Sequence, residues 1–296
     1  MTRINHIRWN HLHLDIPQHW DVIVKDRRHL ILENDLKPIA ELRWQPPGKN
    51  TGAISGEKIA RQLAGKSCTK RGELSGLLPA SLRTRFAVET YSLDHSIEDT
   101  VLLLSCNSCT TTLLLRVYGK SVESFRTYPF VLESLNCHPD KSEIARWQIQ
   151  DFFFSLPEGF ELERSSFRFG LTTLCFNSTE AELILCRLAP ASQHLQHSSL
   201  SALFQSFCSA LPEHQVVANP STLFYHYEPK LAEYLWSRIR RKKVYQTSSF
   251  VHFPHYDRIL GYSIRSKRPI ETWVKAMIDD GYGIIQQKKA ANLSDA

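Results

Sequence analysis

Residues 12–20, Leu-His-Leu-Asp-Ile-Pro-Gln-His-Trp, put apolar side chains at Leu12, Leu14 and Ile16, then a proline, then Trp20. Alternation of this kind is what a half-buried strand requires, and proline ends such a strand before the chain turns. The pattern occurs twice. Residues 152–160, Phe-Phe-Phe-Ser-Leu-Pro-Glu-Gly-Phe, repeat it with Phe152, Phe154, Leu156, Pro157 and Phe160.

The correspondence runs outward from both copies. Ile39–Trp44 is answered by 181–185, and each reads as a later strand of the same small sheet. A short helix candidate at 55–63 corresponds to a stronger one at 198–211, where Leu200, Leu203, Phe204, Phe207, Cys208 and Leu211 form one stripe. The strand at 86–91 matches 223–228, and the hairpin at 101–118 matches 245–264. Each half closes on a helical segment. Val122, Phe125, Val131 and Leu132 supply the first, interrupted at Pro129. Ile270, Trp273, Val274, Met277 and Ile278 supply the second, between Pro269 and Gly281.

The pattern predicts an α+β protein made of two tandem copies, residues 1–140 and 141–296. Each copy is expected to be an antiparallel-sheet unit with about two packed helices. A single sheet shared by both copies is the alternative. The strand, proline and aromatic of "LDIPQHW" and "FSLPEGF" resemble the opening hairpin of the Mog/PsbP-like family, over about the first 35 residues of each copy. The resemblance implies an α/β/α layered fold. Members of that family are binding proteins, and none of their binding residues has a counterpart here.

Composition bounds the rest. The chain has 296 residues, 42% of them hydrophobic and 22% charged, with a net charge of +6. That is a globular balance, compatible with an acidic partner without demanding one. No apolar run reaches the ~18–20 residues of a membrane helix, and the N-terminus lacks the apolar core of a secretion signal. Seven cysteines at irregular spacing form no disulfide framework. A cytoplasmic location is expected.

Two stretches carry candidate chemistry. Cys106-Asn-Ser-Cys109 falls at a hairpin tip, and in the duplicated register it lies opposite His252-Phe-Pro-His255. Two thiolates and two imidazoles make a tetrahedral set for zinc, so Cys106, Cys109, His252 and His255 are the candidate ligands. A plain hairpin carrying sulfur suffices to explain the first motif, with Asn107-Ser108 as its turn, and then no cofactor is expected. The β-forming run after Cys109 argues against a thioredoxin-like redox pair. Cys137-His138 reads as a loop detail.

The second stretch, 234–245, gathers Arg238, Arg240, Arg241, Lys242 and Lys243, with Trp236 and Tyr245 on either side. These side chains suit phosphates, stacked bases, an acidic protein or an anionic membrane. In the bland alternative the cations are solvated, while Leu231, Tyr234, Leu235 and Ile239 turn to the core at helical spacing.

No nucleophile elbow, phosphate-cradling loop, zinc-protease helix or dinucleotide fingerprint occurs. The expected function is therefore a non-enzymatic interaction protein, binding a protein partner through a groove or the basic patch. Nucleic-acid binding, a zinc-stapled protein, and an enzyme with its site in an inter-domain cleft are the alternatives.

Overall fold

The computed structural model describes residues 3–45, 58, 60–61, 68–71, 78–93, 96–109, 111–138, 144–157, 159–208, 216–219, 221–240, 242–269 and 281–285. The chain divides into two compact units, Met1–Asp151 and Phe152–Ala296. The expected helices at 55–63 and 269–281 lie wholly or mostly outside the described residues.

The first unit opens with a hairpin, β1 (Ile4–Trp9) and β2 (Leu12–Pro17). Asn10 and His11 join them, both at positive φ (45° and 69°). Two such residues form the tight turn whose twist matches that of paired strands. Leu12, Leu14 and Ile16 are buried, as alternation required. β10 (Ile144–Ile149) pairs with the other side of β1, and Trp147 meets Trp9 edge-on at 5.6 Å.

A seven-stranded antiparallel sheet follows. Its strands are β3 (Trp20–Asp26), β4 (His29–Asn34), β5 (Lys37–Gln45), β6 (Cys68–Arg71), β7 (Phe86–Leu93), β8 (Ser96–Cys106) and β9 (Thr112–Val117). Their spatial order is β3-β4-β5-β9-β8-β7-β6. Val101 to Leu104 on β8 are all buried, consecutive residues included, so both faces of this strand are covered. That accounts for the unbroken apolar run, which a one-sided sheet would have no use for. Helices α1 (Ala80–Arg85), α2 (Val122–Thr127) and α3 (Phe130–Ser134) complete the unit. Pro129 caps α3 and separates it from α2, while Phe125 packs on Trp20 at 5.5 Å.

The second unit contains β11 (Phe152–Pro157), which pairs with β19 (Gly283–Ile284). Its seven-stranded sheet is built from β12 (Glu161–Arg168), β13 (Leu171–Asn177), β14 (Ala181–Leu188), β15 (Val216–Asn219), β16 (Thr222–Tyr227), β17 (Tyr245–Phe253) and β18 (Arg258–Ser266). The order β12-β13-β14-β18-β17-β16-β15 is that of the first sheet, strand for strand. The helices are α4 (Ala191–His197), α5 (Leu200–Phe207) and α6 (Leu231–Ile239). Ser199 caps α5 by accepting from the Ala202 N–H at 3.1 Å. Phe204 of that helix packs on Phe250 of β17 at 5.4 Å. Gly261 on β18 leaves room for the Phe250 ring, since a Cβ there would lie 1.9 Å from it.

The expected α/β/α layering is corrected by this architecture. Among the described residues strand outweighs helix, 55% to 23%, and the sheets are antiparallel, so the fold is β-rich and the expected α+β class, with about two helices packed on each sheet, is corrected with the layering. The physical reason is length. A helix of nine residues spans ~13 Å, whereas seven strands extend over ~29 Å, so helices of five to nine residues among the described residues cover part of a sheet and form no layer. The resemblance had rested on a hairpin, which carries no information about helical layers.

Candidate metal centre

The opening of the β8–β9 turn is fixed from both sides. Cys106 is the last residue of β8, and its N–H donates to Thr111 O at 2.9 Å. Asn107 anchors the turn on the end of α1, donating from its backbone to Arg85 O at 3.0 Å and from its side chain to Thr84 O at 3.0 Å. Cys106 is buried and Cys109 half-buried.

Beyond α3 a second segment arrives at the same place. Asn136 and His13 of β2 exchange two backbone hydrogen bonds of 2.8 and 2.9 Å. The Asn136 side chain then accepts from the Cys137 N–H at 2.9 Å and from the His138 N–H at 3.4 Å. Arg85 adds a tether, donating to Glu133 O at 2.5 Å. These contacts bring Cys137, which is buried, and His138, half-buried, against the turn.

The result is a Cys3His cluster, with the ligand atoms of Cys106, Cys109, Cys137 and His138 all within 4.8 Å of one another. Cys109 Sγ is 3.4 Å from Cys137 Sγ. His138 Nδ1 is 3.3 Å from Cys137 Sγ and 3.7 Å from Cys106 Sγ. Tetrahedral zinc, with Zn–S near ~2.3 Å and Zn–N near ~2.05 Å, sets S···S edges of ~3.8 Å and S···N edges of ~3.5 Å. These three separations are within about 0.4 Å of those edges, and the remaining three pairs lie within 4.8 Å. The Ser108 N–H points at Cys106 Sγ from 3.4 Å, an outer hydrogen bond of the kind that orients a thiolate.

The thiols differ electrostatically. Burial pushes Cys109 up, but hydrogen bonding with Thr111, Cys137 and Cys106 outweighs it and brings the thiol down to about 6. Burial, reinforced by hydrogen bonding with Cys106 and Cys109, pushes Cys137 well above the usual thiol range. Cys109 is thus the thiol easiest to ionise, and a divalent cation held there would supply the charge that removes the remaining protons.

The structure brings Cys106 and Cys109 together as expected, but with partners from their own unit. His252 lies on β17 and His255 in the turn Pro254–Tyr256, both in the second unit, and neither belongs to the cluster. Cys137 and His138 were missed as ligands because 28 residues, two helices among them, separate Cys137 from Cys109. Grouping thiols by unit rather than across the repeat would have found them.

The basic segment is a surface. Trp236 is 63% exposed on α6, and Arg238, Arg240 and Lys242 are exposed after and beside it. Lys243 is half-buried and donates to Asn177 Oδ1 at 2.6 Å, while Tyr245 meets Tyr234 edge-on at 6.2 Å. Arg241 lies outside the described residues. The expectation that Leu231, Leu235 and Ile239 face the core is corrected, for all three are exposed (76%, 51% and 76%). Ser237 is the residue of α6 that is buried, and its hydroxyl donates to Tyr234 O at 2.7 Å. A helical stripe shows that one face is apolar; it does not show which face the body of the protein meets.

Comparison with protein-family models, with curated proteins and with solved structures finds no match. No described helix is long and apolar enough to cross a membrane.

Proposed function

We propose that this chain is a non-catalytic binding protein whose first unit is clamped by one zinc ion on Cys106, Cys109, Cys137 and His138. The observation that carries the reading is the cluster itself: four soft and borderline donors from two segments, gathered within 4.8 Å of one another. Four protein ligands fill a tetrahedral zinc and leave no position for water or substrate, which is the arrangement of a structural site. Thiolate-rich donors favour zinc over magnesium, calcium or manganese. Among the described residues six cysteines stand as free thiols, in keeping with a reducing, cytoplasmic setting. The identical strand order of the two large sheets supports a duplicated unit, and among the described residues the clamp is found in the first copy. The binding half of the reading rests on the exposed Trp236, Arg238, Arg240 and Lys242, which suit an anionic partner.

The test is elemental analysis of the untagged protein, followed by cobalt substitution. About one zinc per chain is expected, with cobalt giving the strong visible bands and the thiolate charge-transfer absorption of a tetrahedral Cys3His site. His252→Ala with His255→Ala should leave both signals unchanged. A folded protein that takes up neither metal overturns the reading.

A further inference from the structure

Helix α6 is inside out. Successive helical residues turn by ~100°, which places Leu231, Leu235, Ile239 and Trp236 within one arc of ~140°. All four are exposed, while Ser237, on the opposite side of the helix, is the buried residue. A soluble surface helix has the reverse arrangement.

Cations border this arc on both edges. Arg238 stands on one side. Arg240 stands on the other, its guanidinium 5.5 Å from the Trp236 ring. Beside the helix, Arg238, Lys242, Lys267 and Arg268 line a recess of about 210 Å³, with Glu180 the carboxylate among them. Glu180 lies 3.8 Å from both the Lys267 ammonium and Arg268 Nε, so it neutralises only part of that charge. Other nearby acids include Glu233, which accepts from the Tyr227 hydroxyl at 2.5 Å, Glu228, which lies 3.4 Å from His226, and Glu182 and Glu163, which act on Lys243.

We propose that α6 is a membrane-surface anchor: its apolar arc lies in the interface of an anionic bilayer, and the flanking cations and recess engage lipid phosphates. This deepens the binding half of the proposed function, taking the exposed segment as the contact surface, and is independent of the metal. An exposed aliphatic and tryptophan arc with cations on both edges matches the chemistry of a lipid interface, apolar below and anionic at headgroup level. Nucleic acid would meet the cations but leave Leu231, Leu235 and Ile239 without a use. A second copy docked on the same arc would set Arg238 and Arg240 against their own counterparts, and nine residues of helix offer far less than the ~800 Å² per partner of a stable interface.

The test is co-sedimentation of the full chain with vesicles of phosphatidylcholine alone and with about one-third phosphatidylserine. Binding is expected only to the anionic vesicles, falling at least tenfold between low and high salt. The double variant Leu235→Glu, Ile239→Glu should lose it, as should the triple variant Arg238→Gln, Arg240→Gln, Lys242→Gln. Because these side chains are exposed, the variants should unfold at the wild-type temperature and keep their metal content. The fluorescence of Trp236 should shift to the blue on anionic vesicles, and Trp236→Phe should abolish the shift. Equal binding to neutral vesicles, absence of binding, or binding indifferent to Leu235→Glu, Ile239→Glu overturns the anchor. Salt-sensitive binding of single-stranded DNA that survives Leu235→Glu, Ile239→Glu, without vesicle binding, also overturns it while keeping the segment as a contact surface. A dimer abolished by that double variant assigns the arc to self-association instead.

Discussion

Cys109 Sγ and Cys137 Sγ lie 3.4 Å apart although 28 residues separate them. No disulfide joins them, since both are free thiols and an S–S bond is near ~2.05 Å. The two segments they belong to therefore meet through packing and the Asn136–His13 bridge, with the metal as the proposed closure.

Chelation should accordingly loosen the first unit. Closing a loop of this length is worth about 3 kcal/mol when a crosslink does it. Stripping zinc, or replacing Cys137 by Ser, should lower the unfolding temperature of the first unit by about 6–12 °C. Calorimetry with and without a chelator checks this, and the second unit should melt unchanged.

Asn136 positions two ligands without being one. Replacing it by Ala removes the acceptor for the Cys137 and His138 N–H groups. Zinc affinity should fall by about tenfold, the low end of what outer-shell partners contribute. Competition against a chromogenic chelator measures it, and Asn136→Asp, which keeps the acceptor, should restore most of the affinity.

The first sheet contains a partly buried charge cluster that should govern its acid stability. Glu41 lies 2.6 Å from Arg43, 2.8 Å from His29 and 3.2 Å from the Tyr118 hydroxyl. Burial raises the Glu41 carboxyl, but Arg43, His29 and Tyr118 together hold it below the usual glutamate value. Burial, assisted by Arg43, lowers His29 against the opposing pull of Glu41. Both groups bind fewer protons folded than unfolded, so stability is full above the ordinary histidine value and falls with acid. The His29 share goes first, below pH ~6.5, and the Glu41 share below pH ~4.3. Denaturant midpoints across that range should show both steps, and Glu41→Gln should remove the lower one at a cost of about 2 kcal/mol at neutral pH.

In the second unit Gly261→Ala should cost about 1–3 kcal/mol, because the added methyl would overlap the Phe250 ring and press on Cys186. Urea unfolding reads the loss. Phe250→Leu introduced beside it should recover part of the stability.

Much of the sheet was legible because a strand's period of two residues writes its buried face directly into the sequence. Leu12, Leu14 and Ile16 and their echo at Phe152, Phe154 and Leu156 did so, and all six are buried. Cys106 and Cys109 were legible as a close pair of thiols from spacing alone. What spacing cannot carry is a meeting between distant segments, which depends on tertiary contacts such as Asn107 on Arg85 and Asn136 on His13. The repeat points from the thiols to His252 and His255, where the two halves differ, whereas the fold brings Cys137 and His138 to them. Helix α6 was misread for a related reason. Burial was assigned by hydrophobicity, and at Leu231, Leu235 and Ile239 hydrophobicity is spent on the outside.

β10 deserves a last word, for it fixes where the molecule can be divided. It starts at Ile144, past the seam near residue 140 suggested by the repeat, yet its partner β1 sits at the beginning of the chain. Scissors applied at that seam would strip one flank of β1 bare, and naked backbone of that sort recruits neighbouring chains. Both strands belong to the compact unit that runs to Asp151, so β1 keeps its flank only where that stretch of chain stays attached.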